Sequence, residues 1–157
     1  MMSVLGKILI VLAACIFMEC VAWFTHKYIM HGPLWKLHQD HHKKLSAGFF
    51  ERNDFFFLIF AVPGIAALLV GIRNHFNFIF WVGTGITLYG VLYFFVHDIL
   101  IHQRFKLFRN TNNAYLLAIR RAHKMHHKHL SKNHGESFGM LLVPFKYFRK
   151  NQLKMAE

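Results

Sequence analysis

Ten of the thirteen histidines in this chain fall into four short motifs that alternate pair, triplet, pair, triplet. They are HKYIMH (His26, His31), HQDHH (His38, His41, His42), HDILIH (His97, His102) and HKMHH (His123, His126, His127). Residues i, i+3 and i+4 share a helix face. Each triplet therefore presents three imidazoles together and can offer ligands to two neighbouring metals. Leu34 and Leu45 continue the first stripe, and Leu116 and Ile119 the second. The pairs, spaced i and i+5, stand about 140° apart on a regular helix. Both members reach one metal only where the helix ends or distorts, as Gly32-Pro33 after His31 would allow; otherwise they serve different metals. Neutral imidazole suits zinc, copper, iron and nickel. A structural zinc takes four ligands, so ten overfill even two such sites. Two metals with roughly five ligands each use the set, and redox iron with positions left for water or dioxygen fits that count. His75 and His129 read as solvated or hydrogen-bonded histidines, and His134 is unassigned.

The elements that carry these motifs are apolar. At 157 residues the chain is the size of one domain, 1–157, and is 55% hydrophobic with a net charge of +12. RRAHKMHHKHLSK alone would pass for a nucleic-acid patch, but the apolar runs exclude that class, so no nucleic acid is expected. Three runs are long enough to cross a bilayer of roughly 30 Å: about 4–24, 55–72 and 76–96. Three core helices of a soluble domain would leave too little polar chain to cover them. The first run exceeds a typical signal peptide's apolar region and lacks a small-residue cleavage site, so it reads as a retained span. Cys15 and Cys20 lie within it and read as buried, unpaired thiols.

Only RNHF separates the second and third spans, which predicts a helical hairpin. Two crossings separate the first histidine group from the second, so all four motifs return to one membrane face. Lys7 and Arg73 lie on the far side, and the rest of the 19 lysines and arginines lie on the histidine side. The positive-inside rule makes that face cytoplasmic and puts the N-terminus outside, with the basic excess held against anionic lipid. The fold expected is all-α: an integral membrane bundle of three to four transmembrane helices with a histidine-rich metal site at its cytoplasmic face. Within 109–130 the asparagines favour an amphipathic interfacial helix, with a shallow fourth span as the alternative.

Three carboxylates are candidates for supporting the ligands. Glu19 lies inside the first span, nearly on the His26 face and about 10 Å deeper. A carboxylate there is costly and functional by default; it would orient a histidine, relay protons or contact substrate. Asp40 and Asp98 sit beside ligands and would accept a histidine N–H, or else face water or an arginine. The phenylalanines of NDFFFLIF and GVLYFFV line a sideways route from the bilayer or simply face lipid.

The order of the four motifs resembles the bacterial β-carotene 3-hydroxylases, within the membrane fatty-acid hydroxylase and desaturase superfamily. The likeness extends to MHGPLWKLHQDHH, to ERNDFF before the second span and to ESFGMLLVP after the last motif, covering roughly 19–144, and through those segments it adds Asp54 and Glu136 as weaker candidates. It implies two non-haem iron ions held by the ten histidines, dioxygen as co-substrate and electrons from ferredoxin or a similar donor. It also implies a carotenoid substrate drawn from the bilayer and hydroxylated on its β-ionone ring. A lipid or sterol hydroxylase, or a carotenoid ketolase, would use the same metals. A membrane metal-binding or transport protein is the distant alternative, because transport sites belong near the bilayer midplane.

Overall fold

The computed structural model describes residues 2–43 and 48–149; Leu45 lies outside them. Among the described residues every regular element is a helix, with no strand. Helix α1 is Val4–Phe24, α2 is Trp35–His42, α3 is Phe55–Arg73, α4 is Phe78–Phe94 and α5 is Ala114–Lys128.

The hairpin forms between α3 and α4. Asn74 ends α3 by donating its amide to the Val70 carbonyl, and Asn77 caps α4 by accepting from the Ile79 N–H. Helix α4 packs against α3 on one side and α1 on the other. Two glycines of α4 permit this. A Cβ on Gly83 would stand 2.8 Å from the Leu68 nitrogen, and one on Gly85 2.6 Å from the Val11 carbonyl oxygen. Small residues at such crossings let membrane helices approach closely. The outward faces of all three stay apolar and exposed, from Leu5 and Phe17 through Ile65 to Val91, which suits lipid as solvent.

The three spans are longer than hydropathy alone indicates, reaching Val4–Met30, Arg52–Arg73 and Phe78–Ile101. Two of the extensions are π-helical turns, Thr25–Met30 and Phe95–Ile101, which prolong α1 and α4 without a break. Hydropathy stops at Phe24 and Val96 because histidine ends the apolar count, whereas the backbone keeps hydrogen-bonding. Cys15 is half-buried and Cys20 exposed, both unpaired. The expected burial fails for Cys20 because its side of α1 faces outward.

Helix α5 is not long and apolar enough to span; the three candidates above are those among the described residues. It is amphipathic, starts at an Asn113 cap and buries Ala118, Ile119, Ala122, His123 and His126. Arg120 fixes it under the end of the third span by donating to the carbonyls of Leu100, Phe108 and Arg109. A small core of Val96, Leu100, Ile119 and Met140 seals that junction.

Candidate metal centre

The π turns answer the geometric problem set by the i, i+5 pairs. The His31 N–H bonds the His26 carbonyl at 3.0 Å, and the His102 N–H bonds the His97 carbonyl at 2.9 Å. Closing the backbone ring at i+5 stacks each second histidine over its first. Both pairs thus converge through helix distortion rather than through termination at Gly32-Pro33.

All ten patterned histidines meet at the same end of the bundle. The ligand nitrogens of His26, His31, His38, His42 and His126 lie within 4.8 Å of one another, as do those of His41, His97, His102 and His123. His127 joins the second group, its Nε2 2.8 Å from that of His123. The arrangement has a repeat logic. Each half of the chain gives its pair and the i, i+4 members of its triplet to one group, and sends one histidine across: His126 to the first, His41 to the second. The groups also touch, since the His42 and His127 rings stack with centroids 4.7 Å apart. His75 sits in the far hairpin turn, and His129 caps α5.

The ring nitrogens are polarised by what stands behind them. The Nδ1–H of His26 donates to the Phe138 carbonyl at 2.9 Å, that of His31 to the Lys132 carbonyl at 3.2 Å and that of His126 to the Glu136 carbonyl at 2.9 Å. His38 donates to the Asn53 amide oxygen at 2.7 Å, His41 to Glu51 at 2.8 Å and His97 to Asp98 at 3.3 Å. These oxygens only accept, so each Nδ1 carries the proton and each Nε2 presents a lone pair. Yet Nε2 of His26 faces Nε2 of His38 at 3.1 Å, His31 faces His126 at 3.2 Å, and His41 faces His97 at 3.1 Å. Lone pair against lone pair at such distances is repulsive unless a cation lies between them. The donor set therefore fits bound metal ions.

Of the sequence candidates, Asp98 does accept from His97 and pairs with Arg104 at 3.1 Å. Asp40 touches no histidine; it accepts the Arg52 N–H at 2.7 Å and so shapes the turn before α3. Glu19 also contacts no histidine. It is 5% exposed. Its Oε1 accepts the backbone N–H groups of Met140, Leu141 and Leu142 at 2.8–3.0 Å, and Oε2 accepts from the Tyr89 hydroxyl at 2.7 Å. Glu19 thereby anchors the segment whose carbonyls orient His26, His31 and His126. Asp54 makes a two-pronged ion pair with Arg104, and the Glu136 carboxylate pairs with Lys146. Glu51 and Asn53 escaped residue-level reading. The signal was there: polar ERND stands just before an apolar span on the histidine side.

Outside the spans, burial is the main cause that pushes these histidines down, with repulsion among neighbouring imidazoles adding for most. His38 falls to about 2, and His42, His126 and His127 to about 3. His31, His41, His102 and His123 are lowered too. Burial raises the Glu51 carboxyl, with Arg104 pulling the other way. An unfolded histidine titrates near roughly 6.5. The folded values lie below that, so the unfolded chain binds more protons and stability falls as pH drops from about 6.5 towards about 3. The metal-free protein in detergent is expected to lose thermal stability steadily between pH 7 and 4; a midpoint flat across that range would contradict neutral buried imidazoles.

An apolar cavity of about 480 Å³ is lined by α3, α4 and the end of α1, and reaches the histidine groups at His26 and His97. Among its lining residues are buried Tyr89, His26 and His97, with one histidine from each group, and exposed Phe57, Ile65 and Val91.

The chain belongs to the fatty acid hydroxylase family, whose profile matches residues 11–144, and it is an enzyme of that membrane-bound class. It is 42% identical over 133 residues to the "Beta-carotene hydroxylase" of Pseudescherichia vulneris, covering 85% of this chain and 74% of that one. Identity to the protein of the same name from Pantoea ananas is 41% over 136 residues, covering 87% and 77%. For that of a Paracoccus species it is 36% over 149 residues, covering 94% and 91%. No solved structure matches the chain significantly. The resemblance drawn from the histidine motifs is borne out.

Proposed function

We propose that this chain hydroxylates the β-ionone ring of a carotenoid, converting β-carotene to β-cryptoxanthin and zeaxanthin. The cofactor is two non-haem iron ions held by the ten histidines, with dioxygen as co-substrate and electrons from a ferredoxin or similar donor. The observation that carries the reading is the apolar cavity lined by one histidine of each group. The names of the relatives, read with that cavity, support a long apolar hydrocarbon as its occupant. The excess of lysine and arginine on the histidine side supports a cytoplasmic metal face and an external N-terminus.

Bound iron supplies activation of dioxygen, one atom entering a C–H bond and the other leaving as water with two electrons and two protons. The chain supplies position and dryness. The six outward Nδ1–H bonds lock ring orientation and direct lone pairs inward. Tyr93 stacks on His97 with centroids 5.1 Å apart, and Phe138 packs edge-on against His26, His31 and His126, screening the centre from water. The cavity walls admit a hydrocarbon sideways from the bilayer and bring its end to His26 and His97.

Gly90 lines this cavity, and a Cβ built there meets nothing within 4 Å. Gly90→Phe therefore fills the substrate space without crowding a helix. Hydroxylation is expected to fall roughly 10-fold or more with metal content and thermal stability unchanged; full activity would remove the cavity from the substrate path.

Expression in bacteria that accumulate β-carotene, followed by chromatography and mass spectrometry of the pigments, tests the function. Hydroxylated rings are expected. A ring ketone would redirect the reading to a ketolase, and unchanged carotene with metallated, electron-supplied protein would redirect it to a lipid or sterol substrate.

A further inference from the structure

The two histidine groups repeat each other in ligand pattern but not in what stands behind the ligands. Behind the first group every acceptor is uncharged: the carbonyls of Phe138, Lys132 and Glu136 and the amide oxygen of Asn53. Behind the second group stand carboxylates, Glu51 on His41 and Asp98 on His97. Arg104 gathers Glu51 at 3.4 Å, Asp54 at 2.7 Å and Asp98 at 3.1 Å. Three carboxylates against one guanidinium leave that flank net negative. An imidazole that donates to a carboxylate is a more basic ligand than one that donates to a neutral oxygen, and a net negative flank adds direct attraction for a cation.

We propose that the two metal positions are inequivalent, and that the carboxylate-backed group of His41, His97, His102, His123 and His127 takes the first metal equivalent and holds it more tightly. The inference rests on the two-metal reading of the ten histidines. Glu51 and Asp98 act through the ligands and are positioning residues; Asn53 is their neutral counterpart behind His38.

Calorimetric and spectroscopic titration of the metal-free chain in detergent with cobalt(II) tests this. Two equivalents are expected to bind in separate steps, the first roughly 10-fold or more tighter. Glu51→Gln should weaken the tight step by roughly 10–100-fold and leave the weak one in place. Asn53→Asp, nearly isosteric and adding a charge rather than removing one, should tighten the weak step until the two merge. Two equivalents bound with a single affinity in the unsubstituted chain would overturn the inference while leaving the two-metal reading intact. So would Glu51→Gln weakening only the weaker step, or Asn53→Asp leaving both steps unchanged. Failure of the unsubstituted chain to bind cobalt at all would overturn the metal reading itself, and this inference with it.

Discussion

Replacing His126 by alanine is expected to abolish carotenoid hydroxylation while the protein still inserts into the membrane. His126 is the residue that the second half of the chain sends into the first group. It is fully buried, with Nε2 facing His31 and Nδ1–H on the Glu136 carbonyl. Its loss removes one of the five histidines that could hold a metal in the first group. The fall in activity should exceed the roughly 10–100-fold that loss of an outer partner costs. His41→Ala, the reciprocal crossing residue, should behave alike. Helix α5 and α2 lie outside the spans, so neither change touches insertion. His75→Ala, at the far hairpin, should be silent. Pigment analysis beside membrane-fraction immunoblots reads both quantities, and substantial turnover in either crossing variant would remove that histidine from the centre.

Glu19→Ala should be the most damaging change away from the histidines. The buried carboxylate accepts four hydrogen bonds, from three backbone N–H groups and the Tyr89 hydroxyl. Truncation strands the buried Met140 N–H, at a cost of roughly 1–3 kcal/mol, and frees the part-buried N–H groups of Leu141 and Leu142. The segment so released carries the carbonyls behind His26, His31 and His126. A marked drop in thermal midpoint is expected, together with loss of about one metal per chain from the first group. Glu19→Gln keeps an oxygen towards the three N–H groups and should be milder on both counts. Melting curves and metal analysis in detergent check this; a Glu19→Ala protein as stable and as metallated as the unsubstituted chain would contradict the anchoring role.

The parts of this architecture written in residue types were legible in the sequence. Apolar runs give the spans, RNHF the hairpin, and the parity of two crossings brings all ten histidines to the same end. The i, i+3, i+4 triplets even foretell that each serves both groups, since His41 departs from His38 and His42 as His126 does from His123 and His127. What escaped is written in the backbone. A π turn has no residue signature in HKYIMH or HDILIH, and a 3.6-residue period places the pairs on different faces. The partners of His26, His31 and His126 are carbonyl groups, which any residue can supply. Glu19 announces that it is costly but not that its partners are main-chain N–H groups more than a hundred residues away. Asp40 adjoins a ligand in sequence, yet its side chain serves a turn; adjacency along a helix does not make a contact.

Metal analysis of the protein purified without oxygen after loading with ferrous iron tests the two-metal centre most directly. Two irons per chain are expected, falling in both the His126→Ala and His41→Ala proteins and unchanged in His75→Ala. One iron or none in the unsubstituted chain, or two retained when both crossing histidines are replaced, would contradict the account.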